Sequence, residues 1–257
     1  MKERCLMKTF VIISSLRKKN TYTIVKEIER IHQSVSPCEY EYLFLKDVNL
    51  KTCTGCHVCL TKGEQYCPLK DNRDTIITKI ESADAVILAS PNHTMNVNWV
   101  MKNYIDRLSY LMHRPRFFKQ RFMLLITSGS YMGTKEALRA LSPIVSGGKI
   151  MSSLAVMNSP GMNDVKKRNA EKKVSAEAMK FAVAMKKNYS FRATLPNMLW
   201  FSVFKATTRI HADDFPADFR YYEHKQFFVD TELNIFQKIT IGILTNIFLF
   251  LSKKGFI

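Results

Sequence analysis

A chain of 257 residues, 46% of them apolar, has the material for one sizeable core. Its 39 basic and 22 acidic side chains leave a formal charge of +17, which favours an anionic partner such as nucleic acid, anionic lipid, a phosphorylated cofactor or an acidic protein. No basic run interleaved with aromatics and no nucleic-acid motif occurs, which argues against nucleic acid, and the polar, basic opening at residues 1–8 does not read as a secretory signal, so a cytoplasmic chain with reduced thiols is expected.

Residues 9–14, Thr-Phe-Val-Ile-Ile-Ser, have the β-branched apolar character of a strand buried on both faces. A polar loop at 15–21 follows, and then Ile24, Val25, Ile28 and Ile31 recur at helical spacing. Such a loop gathers the free N–H groups of a helix start beside Ser, Thr, Asn and Arg side chains, which suits a phosphate; ordinary N-capping by Asn20 or Thr21 is the plainer use. Residues 40–45 form a second strand, and 46–74 a long loop of the kind that usually has a function.

A short helix at 75–82 leads into a third strand at 85–89, which ends in a polar turn, Ser90-Pro91-Asn92-His93-Thr94. The carboxyl end of a parallel strand is where open α/β sheets bind ligands. A long helix is expected over 97–113, then a fourth strand at 122–127 ending at Ser128-Gly129-Ser130, a helix at 134–146 and a fifth strand at 150–157. This alternation predicts an α/β fold with a parallel sheet covered by helices and joined by right-handed crossovers.

From about residue 165 to 187 the chain reads as a charged helix, and residues 190–257 fall outside the repeating unit as a helical extension to a domain at 1–189. The apolar helix at 235–251 contains Thr240, Gly242, Thr245 and Asn246 and is short for a membrane span. Packing on the domain or on a second subunit suits it better than a membrane surface, and peripheral membrane contact is the minor expectation.

The long loop carries Cys53, Cys56, Cys59 and Cys67-Pro68, a Cys-x2-Cys-x2-Cys-x7-Cys run inside 51–70, while Cys5 and Cys38 carry no pattern. Thiolates at such spacing can turn onto one metal centre, and Gly55 permits the tight backbone that wrapping demands. Zinc sites more often split their ligands into two distant pairs, so the run looks closer to a cubane iron-sulfur ligand set, with zinc or air-formed disulfides as the alternatives.

Four segments together resemble one family: the loop from Ser14 to Thr21, the cysteine run followed by Asp71-Asn72, the turn Ser90-Pro91-Asn92-His93, and Met101-Lys102-Asn103-Tyr104-Ile105-Asp106-Arg107. In order and spacing they resemble the flavodoxin-like NAD(P)H-dependent FMN reductases, and among those the iron-sulfur flavoproteins, over about residues 8–160. The resemblance implies a doubly wound five-stranded parallel sheet of order 2-1-3-4-5 with FMN across its carboxyl edge. It implies an FMN phosphate against Ser14, Ser15, Arg17, Asn20 and Thr21, and a ring framed by Pro91, Asn92, His93, Thr94, Met95 and Asn96, with Thr127, Ser128 and Gly129 closing over it. Where this family usually has Gly-Ser the chain has Ser14-Ser15, and Asn92-His93 stands where the family usually has a bulky apolar or Tyr residue, which implies a more polar ring environment.

The expected function is that of an FMN-dependent oxidoreductase, with no side-chain catalyst required, moving electrons between a donor (NAD(P)H or a redox protein such as ferredoxin) and a small acceptor through a [4Fe-4S] cluster on Cys53, Cys56, Cys59 and Cys67. His93 is expected to contact the ring without a catalytic role. The alternative is a non-catalytic electron-transfer module docking acidic redox carriers, its cysteines holding zinc or no metal. The resemblance also implies a homodimer or homotetramer.

Overall fold

The computed structural model describes residues 6–159, 161–230 and 232–254, so Cys5 lies outside the described residues. In chain order the elements are β1 (Met7–Ile13), α1 (Asn20–Val35), β2 (Cys38–Phe44), α2 (Val58–Thr61), α3 (Arg73–Ser82), β3 (Ala85–His93), β4 (Asn96–Val97) and α4 (Trp99–Arg107). They continue with β5 (Arg121–Ser128), α5 (Thr134–Leu141), β6 (Lys149–Met157), α6 (Asp164–Lys186), α7 (Leu195–Ile210), α8 (Pro216–Tyr222) and α9 (Ile235–Lys253). They fall into two compact units. The first comprises the chain up to Cys53, Asp71–Leu108 and Arg116–Tyr189; the second comprises Thr54–Lys70, Ser109–Pro115 and the chain from Ser190 onward.

The first unit is built on a sheet of order β2-β1-β3-β5-β6, with β4 paired to β3 off that path. All pairings along the path are parallel. Counting the parallel strands alone, the order is the expected 2-1-3-4-5. The central strands need no polar face because helices cover them: every residue of β5 is buried, as are the first six of β3. Val11, Ile13, Ile87, Met123 and Leu125 join Val25 and Ile28 of α1 and Phe181 of α6 in one core cluster. The alternate residues Phe10, Ile12, Val86, Leu88, Phe122 and Leu124 are equally buried, so the opposite face of the sheet is covered as well.

Several boundaries differ from the sequence expectation: the helix expected over 134–146 ends at Leu141 in a 3-10 turn over Ser142–Val145, and the larger differences lie in β3 and α4. β3 does not stop at residue 89; Ser90 and Pro91 continue the ladder to Ile126 and Thr127, and Asn92 and His93 then pair antiparallel with β4. The expected helix over 97–113 begins at Trp99, because the Asn98 side chain caps it by accepting from the Met101 N–H at 3.2 Å. It ends at Arg107, and a 3-10 turn over Ser109–Met112 takes up the rest. Cys38 is buried, and burial pushes its thiol up to about 11, which makes it an inert packing residue.

In the second unit, α7 and α9 pack side by side, and the Ser202 hydroxyl donates to the Ile241 carbonyl at 3.3 Å. Phe201 lies within ring contact of Tyr222, Phe227 and Phe228, with centroids 5.2 to 5.6 Å apart. These aromatics give the unit its core. By contrast, only Ile241 and Ser252 of α9 are buried, so most of the apolar surface of that helix is not packed away.

Candidate functional site

The carboxyl ends of β1, β3 and β5 lie side by side in the sheet, and each runs into one of the polar loops singled out in the sequence. The first loop leads to α1, whose start no side chain caps. An uncapped helix start presents unpaired N–H groups and the positive end of the helix dipole, an arrangement made for an anion. Arg17, Lys18, Lys19 and Asn20 are exposed around it, and Ser15 and Thr21 are buried.

Ser14 is turned inward. Its N–H donates to the Ala89 carbonyl at 3.0 Å, its hydroxyl to the same oxygen at 3.5 Å, and its carbonyl accepts from Asn98 Nδ2 at 2.7 Å. It supports the loop from within instead of facing the loop's opening. A serine serves here in place of glycine because the position does not require the left-handed region. Among the described residues, positive φ at a non-glycine residue occurs at His57, Thr94 and Met95.

Hydroxyls and amides tie the loops to one another. Thr21 and Thr127 share a buried hydroxyl hydrogen bond of 2.7 Å, joining the first turn of α1 to the end of β5. Asn20 Nδ2 donates to the Asn158 carbonyl just past β6 at 3.0 Å. Asn92 Nδ2 donates to Ser128 Oγ at 3.0 Å and to the Met132 carbonyl at 2.7 Å, while its Oδ1 is buried with no partner among the described residues. A buried orphan acceptor beside a polar loop is a place for a ligand N–H.

Beyond Asn92, the chain turns through Thr94 and Met95 at φ 49° and 64°, the paired left-handed geometry of a two-residue hairpin. His93, Thr94, Met95 and Asn96 project from this hairpin into solvent, as does Gly129 on the neighbouring loop. Gly133, at φ 70°, fits against the hairpin so closely that a Cβ there would lie 2.2 Å from Met95 Cα. The structure thus brings the loops after β3 and β5 together through a contact that only glycine permits.

Asn98, which the sequence reading passed over, joins three of these parts. Its Nδ2 holds Ser14, its N–H donates to Ser90 Oγ at 3.4 Å, and its Oδ1 caps α4. The one local signal for it was an asparagine just ahead of a helix.

The motif from Met101 to Arg107 also finds a role, at the stem of the cysteine loop within the first unit. Asn103 Oδ1 accepts from the Cys53 N–H at 3.0 Å, and Asn103 Nδ2 donates to the Lys51 carbonyl at 3.3 Å. Asp71, where the chain returns, accepts from the Lys51 N–H at 2.9 Å and pairs with Arg107 at 3.0 Å, both side chains only 1% exposed. One helix therefore grips the beginning and the end of the loop.

The remaining cysteines belong to the second unit. Gly55 and His57 take positive φ, and Cys59 lies in α2 with its Sγ 3.8 Å from Ser109 Oγ. Arg114 holds this segment: it donates to the Cys59 carbonyl, to Glu64 at 3.0 Å and to Asp218, which is buried and also accepts from His113 at 2.6 Å. All four cysteines of the run are at least partly exposed, and their thiols are a donor set suited to a soft metal. Among the described residues, no three His, Cys, Asp or Glu side chains come together closely enough to hold an ion.

Comparison with known proteins adds three findings. The family model described as NADPH-dependent FMN reductase matches residues 7–161. An "Iron-sulfur flavoprotein" of Archaeoglobus fulgidus is 33% identical over 156 residues, 60% of this chain and 75% of the relative; a second of the same description and organism is 39% identical over 114 residues, 42% of this chain and about half, 49%, of the relative's length. Among solved structures, an NAD(P)H:quinone oxidoreductase from Methanothermobacter marburgensis aligns over 73% of this chain and 100% of its own, with a TM-score of 0.55 and 14% identity. An FMN-dependent NADH-azoreductase from Bacillus anthracis aligns over 69% of this chain with a TM-score of 0.54, also at 14% identity. At that identity the likeness is one of fold.

Proposed function

Since the chain belongs to the NADPH-dependent FMN reductase family, and is thereby an FMN-dependent oxidoreductase, we propose that FMN lies across the carboxyl ends of β1, β3 and β5 and exchanges electrons with a [4Fe-4S] cluster on Cys53, Cys56, Cys59 and Cys67. The observation that carries the reading is the uncapped start of α1 beside two further polar loops on adjacent strands. The α1 N–H groups, Ser15, Arg17, Asn20 and Thr21 hold the phosphate, with Ser14 as the buried support of that loop. Pro91, Asn92 and the hairpin through His93, Thr94, Met95 and Asn96 form one side of the ring site, and Thr127, Ser128 and Gly129 the other. The orphaned Asn92 Oδ1 is placed to accept a hydrogen bond from a ring N–H.

Bound there, FMN would supply two-electron hydride chemistry with single-electron release, and a cluster on the four cysteines would supply one-electron transfer. The residues of the chain would then have only to position and shield the cofactor. Asn103, Arg107 and Asp71 hold the entrance and exit of the cysteine loop, and Arg114 braces its interior segment. The donor is a nicotinamide or a reduced redox protein, and the acceptor a small molecule, in a reducing cytoplasmic setting.

Anaerobic purification tests the cluster and an assay tests turnover. The account predicts a brown protein with flavin absorption and about four iron atoms per chain. A yellow, iron-free protein would overturn the cluster and leave zinc as the occupant to measure. Steady NAD(P)H consumption with a quinone or nitro acceptor, without any protein partner, is expected; its failure, with acidic carriers reduced instead, would support the electron-transfer module.

A further inference from the structure

Helix α9 runs for 19 residues, about 28 Å at the rise of an α-helix, and only 11% of its apolar window is buried. Phe236, Ile239, Ile243, Ile247 and Phe250 recur at steps of three and four, so they form one stripe along a single face. That stripe faces solvent: Phe236 is 77% exposed, Ile243 55% and Phe250 61%. The helix is nonetheless well built. Asn234 and Gln237 make a capping box at its start, and its other side packs on α7 through Ile241. A capped, paired helix with a continuous apolar stripe in water is an interaction surface in need of an occupant.

Charge selects among the occupants. From Leu233 to Lys254 the sequence contains Lys238, Lys253 and Lys254 and no Asp or Glu. In a second copy packed stripe to stripe, neither helix would offer a carboxylate to answer the other's lysines. An anionic lipid surface answers Lys253 and Lys254 at the end of the stripe, and the chain as a whole carries +17. Spanning the bilayer fits poorly, since Lys238 sits one turn into the helix, Thr245 and Asn246 lie within it, and Ile241 is engaged with α7. The neighbouring helix α7 exposes Leu195 and Trp200, residues that suit the boundary between headgroups and acyl chains.

We propose that α9 lies in the plane of a membrane containing anionic lipid, its stripe from Phe236 to Phe250 inserted among the acyl chains and Lys253 and Lys254 at the headgroups. This reverses the sequence expectation, which gave membrane contact the least weight. Burial is what changes the balance: packing on the same chain accounts for one side of α9 only.

Flotation of the full chain with its cofactors bound tests the proposal. Vesicles of phosphatidylcholine with phosphatidylglycerol should carry the protein upward, pure phosphatidylcholine should carry at least several-fold less, and high salt should weaken the binding. The exposed-stripe variant Ile243→Glu/Ile247→Glu should lower partition by about tenfold or more with its flavin absorption unchanged, because neither residue touches the core. Failure of the unaltered protein to float with anionic vesicles would overturn the proposal. So would light scattering that shows a stable oligomer which the same double variant breaks into monomers, since the stripe would then be covered by a second copy.

Discussion

Asp71 and Arg107 show how far apart in sequence the determinants of one loop lie. The pair is sealed from water, and the carboxylate also receives the Lys51 N–H, so neither partner is replaceable by solvent. Asp71→Asn removes the charge that balances the buried guanidinium and is expected to lower unfolding stability by about 3 kcal/mol in urea titrations. It should also speed proteolysis within residues 51–71, and a variant with the original midpoint and cleavage rate would contradict the role given to this pair. His32 supplies a second prediction. Its ring is buried, Nδ1 shares a hydrogen bond of 2.8 Å with the Tyr40 hydroxyl, and desolvation first, then Arg121, pull its pKa from 6.5 to about 4. Between those two values the unfolded chain takes up a proton that the folded chain refuses. Stability should therefore fall as pH drops from about 6.5 to 4 by up to about 3 kcal/mol, and level off below. His32→Gln should flatten that part of the curve; an unchanged slope would assign it to other groups.

At the scale of elements, the contact between Gly133 and the β3–β4 hairpin is the most sensitive junction of the site. With a Cβ at position 133 lying 2.2 Å from Met95 Cα, and with φ at 70°, Gly133→Ala must displace either the loop or the hairpin. A loss of about 2–4 kcal/mol and weaker FMN binding are expected from thermal unfolding and flavin titration; full retention of both would show that the junction yields freely. The same region marks the limit of the sequence reading. The buried strands were legible because apolar, β-branched runs bounded by polar turns have few other solutions, and β5 is the clearest case. β3 ran four residues past its expected end because Pro91 reads as a stop. Past Ala89 the strand has no β1 partner, and on that open side proline is tolerated. α4 ended early for a reason equally hidden from periodicity, the change to a 3-10 turn. The loops expected to bind cofactor were visible from their positions at strand ends, whereas Asn98, Asn103 and Arg107 act through partners 84, 50 and 36 residues away, which no local pattern discloses.

For the whole molecule, two kinds of surface demand ligands. One is the uncapped, basic edge of the sheet in the first unit; the other is the apolar stripe of α9 in the second. Their chemistry differs, a phosphate site against a lipid-facing helix, so they are separable by experiment. The central claim concerns the first of them. Titration of the cofactor-free protein with FMN and with riboflavin, followed by flavin fluorescence, compares ligands that differ only in the phosphate. If the α1 start and its loop hold that phosphate, FMN should bind at least about a hundredfold more tightly than riboflavin, and Asn20→Ala/Thr21→Val should narrow the gap. Equal affinities for FMN and riboflavin, or no quenching by either, would contradict the account.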